Sequence, residues 1–207
     1  MLTFDIGCNT GMWTEANWNK DDLFVCVDAL PAAYIAASER FWGKWNVQVI
    51  NRLVAEQDGF MKMFYTSPIS SGEVSTASPE WVERSRHDGH WDNGSYIYSV
   101  TLDKLISRFG VPDLVKIDVE GYELNVLQGL TQKVPLLCFE FAEEFNKDAM
   151  ACVDRLHNIG FSQFTKQHGD SYSFRPVSFI DYRGIVRELK SDLVPERAEA
   201  WGMIWAK

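Results

Sequence analysis

No stretch of the 207-residue chain approaches the roughly 20 consecutive apolar residues that span a bilayer, and the N-terminus lacks a basic stretch followed by an apolar run. Cysteine is sparse. Cys8, Cys26, Cys138 and Cys152 stand far apart without a C-x-x-C pair, which excludes a zinc-ribbon spacing and a disulfide framework. They read as buried free thiols of a reducing compartment, so a soluble, cytoplasmic protein is expected. Positive charge is also short, with 20 Lys and Arg against 29 Asp and Glu, a net charge of -9. Such a surface repels phosphate backbones and anionic lipid, so neither nucleic acid nor a membrane is the expected partner, and a small or neutral molecule fits better. There is no internal repeat and no linker, so residues 1–207 are expected to form one domain.

What is present is an ordinary globular balance, 46% hydrophobic and 24% charged. Short, nearly continuous apolar runs alternate with helical stretches in the N-terminal half. LTFDIG, LFVCVD and NVQVINRLVA read as parallel strands covered on both faces, and Pro31 opens a helix through PAAYIAASERFW. Asp58-Gly59 separates two β-like runs, Val47 to Ala55 and Phe60 to Thr66, in the manner of a hairpin. Residues 67–95 turn to Ser, Gly, Asp, His and Trp, with a short helix near Pro79, and are expected to form a lid or substrate loop. Beyond it come a strand at Tyr96 to Val100, a helix at Thr101 to Phe109, the strand DLVKIDVEG, the helix YELNVLQGL, the strand PLLCFEF and a helix from Asp148 to Ile159. FSQFTKQ, VSFIDYR and GMIWAK read as strands at a sheet edge.

Three features carry chemistry. The first is FDIGCNTG at 4–11, directly after a strand, whose Gly7 and Gly11 allow a tight turn and close approach of a ligand. Its D-x-G-x-x-x-G spacing is not the G-x-G-x-x-G of a dinucleotide site, and Asp5 at the entrance repels a pyrophosphate but suits a cationic ligand such as a sulfonium. The second is Asp28, at the end of the second strand, where one carboxylate can accept both hydroxyls of a ribose. The third is LVKIDVEGYE, in which strand alternation points Lys116, Asp118 and Glu120 to one face as a compensated polar cluster near the strand ends. Lone loop histidines such as those of HDGHWD (His87 to Asp92) are usually solvated. Trp81 and Trp91 could stack on a sugar face, whereas Trp13, Trp18, Trp42, Trp45, Trp201 and Trp205 read as packing residues.

FDIGCNTGMWT, Asp28, TLDKL at 101–105 and above all DLVKIDVEGYELNVLQGL at 113–130 resemble the FkbM-type S-adenosylmethionine-dependent methyltransferases. The resemblance runs from about Leu2 to Phe141. It implies an α/β class I methyltransferase (Rossmann-like) three-layer sandwich with a seven-stranded, mostly parallel sheet of order 3-2-1-4-5-7-6. The implied activity is O-methyl transfer from S-adenosyl-L-methionine to a hydroxyl of a sugar or small metabolite. Within that pattern Asp5, Gly7, Asn9 and Gly11 hold the methionine end and Asp28 the ribose, with Cys8 and Ala29 in the same cofactor-binding set. Asp118 and Glu120 lie beside the reacting methyl as the candidate base, and Lys116 is a structural partner. No metal ligand set is assigned, a divalent ion aided by Asp118 and Glu140 being the other route. The rival reading is a Rossmann-like module that binds a cofactor without catalysis.

Overall fold

The computed structural model describes residues 1–65, 75–84, 95–142, 146–173, 175–191 and 201–207. The chain begins with β1 (Leu2–Ile6), α1 (Met12–Asn17), β2 (Leu23–Asp28), α2 (Pro31–Arg40) and β3 (Val47–Asn51). A second group follows: β4 (Leu53–Val54), β5 (Gly59–Tyr65), β6 (Ser75–Thr76), α3 (Pro79–Arg84) and β7 (Ser95–Val100). Then come α4 (Leu102–Phe109), β8 (Leu114–Ile117), α5 (Glu123–Gln128), β9 (Leu136–Ala142), α6 (Asn146–Asn158), β10 (Gln163–His168), β11 (Ile180–Asp181), α7 (Tyr182–Ser191) and β12 (Trp201–Ala206).

The main sheet runs β11-β10-β12-β9-β8-β1-β2-β3. Counting its seven longer strands in chain order gives 3-2-1-4-5-7-6, as expected, and the short β11 adds an eighth strand at the free edge of β10. Strands from β3 to β9 are parallel, and β12 enters antiparallel between β9 and β10. Helices cover both faces because the strand residues are apolar on both. On one face Phe4, Val25, Val115, Leu137 and Phe139 pack against Leu102, Leu105, Val126, Leu127, Val153 and Leu156 of α4, α5 and α6. On the other, Trp13 of α1 packs with Leu114, Cys138, Met203 and Trp205, and Ala37 of α2 and Phe41 pack with Phe24 and Cys26. All four cysteines are free and buried, as the sequence implies. Among the described residues, no helix is long and apolar enough to cross a membrane.

Local chemistry explains the helix ends. Pro31 occupies the first position of α2, where its missing N–H costs nothing. Thr101 caps α4, its Oγ1 accepting from the Lys104 N–H at 3.1 Å, and Gly110 ends it at φ +97°.

Several expectations are corrected. The hairpin across Asp58-Gly59 does not form. β3 is already paired with β2, β4 runs parallel to β7, and β5 finds its antiparallel partner in β7, with Gly59 opposite Ser99. These short strands make a second sheet, β4-β7-β5-β6. The strand DLVKIDVEG is shorter than its apolar pattern suggests, since β8 stops at Ile117 and Glu120 adopts φ +54°. GMIWAK is not an edge, because β12 is central. VSFIDYR contributes only β11 before α7, whose N-terminus is capped by Asp181 Oδ1 accepting from the Gly184 N–H at 2.7 Å. Trp42 and Trp45 are 89% and 78% exposed rather than packed. Residues 67–74 and 85–94 of the expected lid, with His87, His90 and Trp91, lie outside the described residues, as does the side chain of Trp81.

Where β12 enters the sheet, a side chain is excluded. A Cβ on Gly202 would sit 2.0 Å from the Gln167 carbonyl oxygen and 2.9 Å from the Gly169 nitrogen. Gly202→Ala is therefore expected to lower the unfolding free energy by about 2–3 kcal/mol in urea titrations, and a loss under about 0.5 kcal/mol would contradict this packing.

Candidate cofactor and active site

The site is assembled where β1, β2 and β8 end. Gly7 leaves β1 with φ +74° and donates its N–H to the Val27 carbonyl at 2.9 Å. A Cβ there would lie 1.7 Å from the Asp118 carbonyl oxygen, so only glycine lets the loops after β1 and β8 close on each other. Asn9, at φ +47°, donates its N–H to Asp28 Oδ2 at 2.8 Å, and the Leu30 N–H donates to Oδ1 at 2.8 Å. Asp28 thus fixes the Gly7 loop to β2 and keeps one further lone pair on each oxygen. Burial pushes its carboxyl up to about 6, against the two backbone N–H groups that favour its charged form.

At the end of β8, Lys116 is buried with its Nζ 2.9 Å from Asp118 Oδ2 and 3.8 Å from Asp5 Oδ1. Burial works against its charge, but Asp118 and Asp5 outweigh it and hold the ammonium protonated. Asp5, in register opposite Lys116, also accepts from Thr14 Oγ1 at 2.7 Å. Burial still leaves the Asp5 carboxyl raised above its ordinary value. Beyond Asp118 the chain turns through Glu120 and Gly121, both at positive φ. This turn is held by Glu123, whose Oε1 accepts from the N–H groups of Val119 at 3.2 Å and Gly121 at 3.3 Å. Burial raises the Glu123 carboxyl to about 7.

The turn replaces the expected strand face, yet it still gathers carboxylates. Oxygens of Asp118, Glu120 and Glu140 come within 4.8 Å of one another. Carboxylates this close share a proton or hold a cation. Burial, then the charges of Asp118 and Glu120, raise Glu140 well above its ordinary value.

A cleft of about 210 Å³ opens over these loops. Gly7, Cys8, Asn9, Asp28, Ala29, Asp118 and Glu120 line it, and Lys116 forms part of its floor. Asp5 and Gly11 are not on its wall: Asp5 is fully buried behind Lys116, and Gly11 abuts Phe41, whose Cε2 would meet an added Cβ at 2.5 Å. Ser75 and Thr76 of β6, within the expected 67–95 loop, also line the cleft, whereas sequence reasoning missed Arg52 at the exit of β3 and Asp170 and Tyr172 after β10. None of these carries a motif, and the topology alone brings them to the strand ends. The glycine loop and Asp28 suit a nucleoside with a cationic tail, as the donor set offers carboxylates and backbone groups rather than a phosphate cradle.

The sheet order, with an antiparallel β12 beside β9, defines the class I methyltransferase fold. Residues 15–162 match the family described as the methyltransferase FkbM domain, and the chain belongs to that family. The match begins after the FDIGCNTG loop and ends before Asp170. A curated relative, the hexuronic acid methyltransferase AglP of Haloferax volcanii, is 28% identical over 104 residues, covering 47% of this chain and 44% of that protein. The chain thus spans less than half the length of this relative. Among solved structures, a precorrin-6y C5,15-methyltransferase from Geobacter metallireducens is 9% identical with a TM-score of 0.47, covering 100% of this chain and 78% of that one. Aeropyrum pernix fibrillarin with bound S-adenosyl-L-methionine is 11% identical with a TM-score of 0.46, covering 100% and 65%. S-adenosyl-L-methionine is the cofactor of this class.

Removing the buried cation tests the site's foundation. Lys116→Met leaves Asp5 and Asp118 without their countercharge, and chemical denaturation at pH 7 is expected to show a loss of about 3–5 kcal/mol. A stability within about 1 kcal/mol of the parent would mean that the carboxylates do not depend on Lys116.

Proposed function

We propose that the protein is an S-adenosylmethionine-dependent O-methyltransferase acting on a hydroxyl of a sugar or small metabolite. The observation that carries this is the convergence of the Gly7 loop, Asp28 and the Asp118–Glu120 turn on one cleft at the C-terminal ends of β1, β2 and β8. Gly7, Cys8 and Asn9 hold the methionine end, and Asp28 with Ala29 holds the ribose. Asp5 and Gly11 act from behind, Asp5 by fixing Lys116 and Gly11 by seating the loop on Phe41. Residues 1–207 act as one methyltransferase domain, and the segment 67–95 serves as its substrate lid, as Ser75, Thr76 and Ala77 on the cleft wall suggest. Four buried, unpaired cysteines fit a cytoplasmic setting.

The cofactor, when bound, supplies a methyl group already activated by its sulfonium. The residues have three tasks: to align the acceptor oxygen, to exclude water and to take the hydroxyl proton. Asp118 and Glu120 are the candidate bases. Asp118 Oδ2 is held by Lys116, and its carboxylate is also hydrogen-bonded with Glu140, which fixes its orientation at the cleft. Lys116 itself stays structural, since two carboxylates keep it protonated. A sugar acid is the first acceptor to try, because the curated relative is named for a hexuronic acid and Arg52 on the cleft wall has no carboxylate partner among the described residues.

Methyl-labelled S-adenosylmethionine incubated with methyl glucuronide and a panel of neutral sugars and hydroxylated metabolites should transfer label to one of them. Asp118→Asn should cut that transfer by about 10²- to 10⁴-fold with cofactor affinity kept. Cofactor binding without transfer to any acceptor in the panel would favour the rival reading, a cofactor-binding module without catalysis.

The ribose assignment has its own pH signature. Ribose hydroxyls donate to the charged carboxylate, so binding favours deprotonated Asp28, whose carboxyl lies at about 6. Calorimetric affinity for S-adenosylmethionine should therefore fall about tenfold from pH 7 to pH 5. Asp28→Ala should weaken binding by about 1–3 kcal/mol and flatten that profile. An unchanged profile in the variant would remove Asp28 from the ribose.

A further inference from the structure

We propose that Asp170, in the loop between β10 and β11, is a cofactor-binding residue whose carboxylate receives the α-ammonium group at the amino-acid end of S-adenosylmethionine. The inference concerns the donor and is independent of which hydroxyl is methylated. Asp170 lies outside the span matched by the family, and nothing in its own sequence surroundings marks it.

Its placement is built into the fold. Gly169, at φ +67°, donates its N–H to the Trp201 carbonyl at 2.7 Å, which the missing side chain of Gly202 permits. Downstream, the Tyr172 carbonyl accepts from Asn17 Nδ2 at 3.1 Å, at the end of α1, and from Arg175 at 3.4 Å. Arg175 also bonds Asn17 Oδ1. The loop is thus tied at one end to β12 and at the other to α1. Between these ties Asp170 and Tyr172 join the wall of the cleft that contains Asp28.

The charges there call for a cation. Among the described residues, Asp170 makes no hydrogen bond or ion pair, and the charges that act on it are those of Lys116, Asp118 and Asp5. Lys116 is already bound to Asp118. Asp170 therefore shares the single ammonium of Lys116 with Asp118 and Asp5. Burial raises the Asp170 carboxyl in spite of Lys116, the sign of a group short of a countercharge. Asp28 stands on the β2 side of the cleft, whereas Asp170 faces Lys116 and Asp118 on the β8 side. A ligand whose ribose lies at Asp28 extends its tail toward Asp170, and the cation at the far end of that tail, beyond the sulfonium, is the α-ammonium.

Calorimetry with the full chain separates this role from others, using S-adenosylmethionine, S-adenosylhomocysteine and 5′-methylthioadenosine, which lacks the amino-acid tail. Asp170→Asn and Asp170→Ala should bind the first two about tenfold more weakly and the third within about twofold of the parent. The ligand-free thermal midpoint should stay put, as no hydrogen bond or ion pair among the described residues is lost. Equal losses for all three ligands would overturn the assignment, as would unchanged affinity for S-adenosylmethionine. A loss confined to S-adenosylmethionine would place Asp170 at the sulfonium instead. None of these readings needs an acceptor, so failure here is distinct from failure of the acceptor proposal.

Discussion

A lysine in the middle of a parallel sheet must be paired or lose its charge, and the pairing of Lys116 sets the arrangement of everything above it. Asp5 stands opposite it on β1 and Asp118 follows it on the chain, so one ammonium ties two neighbouring strand ends together. Asp5 passes the constraint to α1 through Thr14, whose hydroxyl in turn accepts from Cys26 on β2 at 3.3 Å. Asp118 passes it to the Gly7 loop, because its N–H donates to the Ile6 carbonyl at 2.9 Å and its own carbonyl occupies the space beside Gly7. Strand ends, helix and loop therefore form one polar unit rather than separate motifs.

That unit explains how the excess negative charge is used. Asp5, Asp28, Glu123, Glu140 and Asp170 are all raised above their ordinary values with burial as the largest cause. In two of them backbone N–H groups work against burial and favour the charged form, Asp28 through Asn9 and Leu30 and Glu123 through Val119 and Gly121. Glu140 instead faces the charges of Asp118, Glu120 and Glu123, which raise it further above its ordinary value. A cationic ligand entering this surrounding stabilises the charged carboxylates, so its binding is linked to proton release. An anionic pyrophosphate would do the reverse, which is the physical reason that the D-x-G-x-x-x-G spacing does not read as a dinucleotide site.

Much of the fold was legible because its signals are local. Continuous apolar runs marked the buried strands, Pro31 and Thr101 marked helix starts, and the glycine loop after β1 with Asp28 after β2 marked two walls of the cleft. The misreadings have long-range causes. Val47 to Ala55 looked like one strand of a hairpin, but which neighbour it pairs with is decided by β2 and by β7, far along the chain. Asp118 and Glu120 alternated like strand residues, yet the close approach of Gly7 and the grip of Glu123 turn the chain after Ile117. The helix α7 was hidden because IDY is rich in β-formers, although Asp181 as cap and Ile185 with Leu189 on one buried face were there to be read.

The two ends of the chain complete the site that its middle defines. The span of the FkbM match, 15–162, contains Asp28, Lys116, Asp118 and Glu120, while the Gly7 loop precedes it and Asp170 follows it. Inserting β12 between β9 and β10 turns the final strands back toward the β8 side, and the absence of a side chain at Gly202 lets the turn after β10 sit close enough to reach the cleft. Arg175 and Asn17 then join this C-terminal loop to α1, which itself begins at the Gly7 loop. The same strand order that any class I sheet has is thereby used to bring a carboxylate from the last third of the chain against a cleft opened by its first eleven residues. Asp170 is thereby also one of the charges that act on the buried lysine on which the sheet depends.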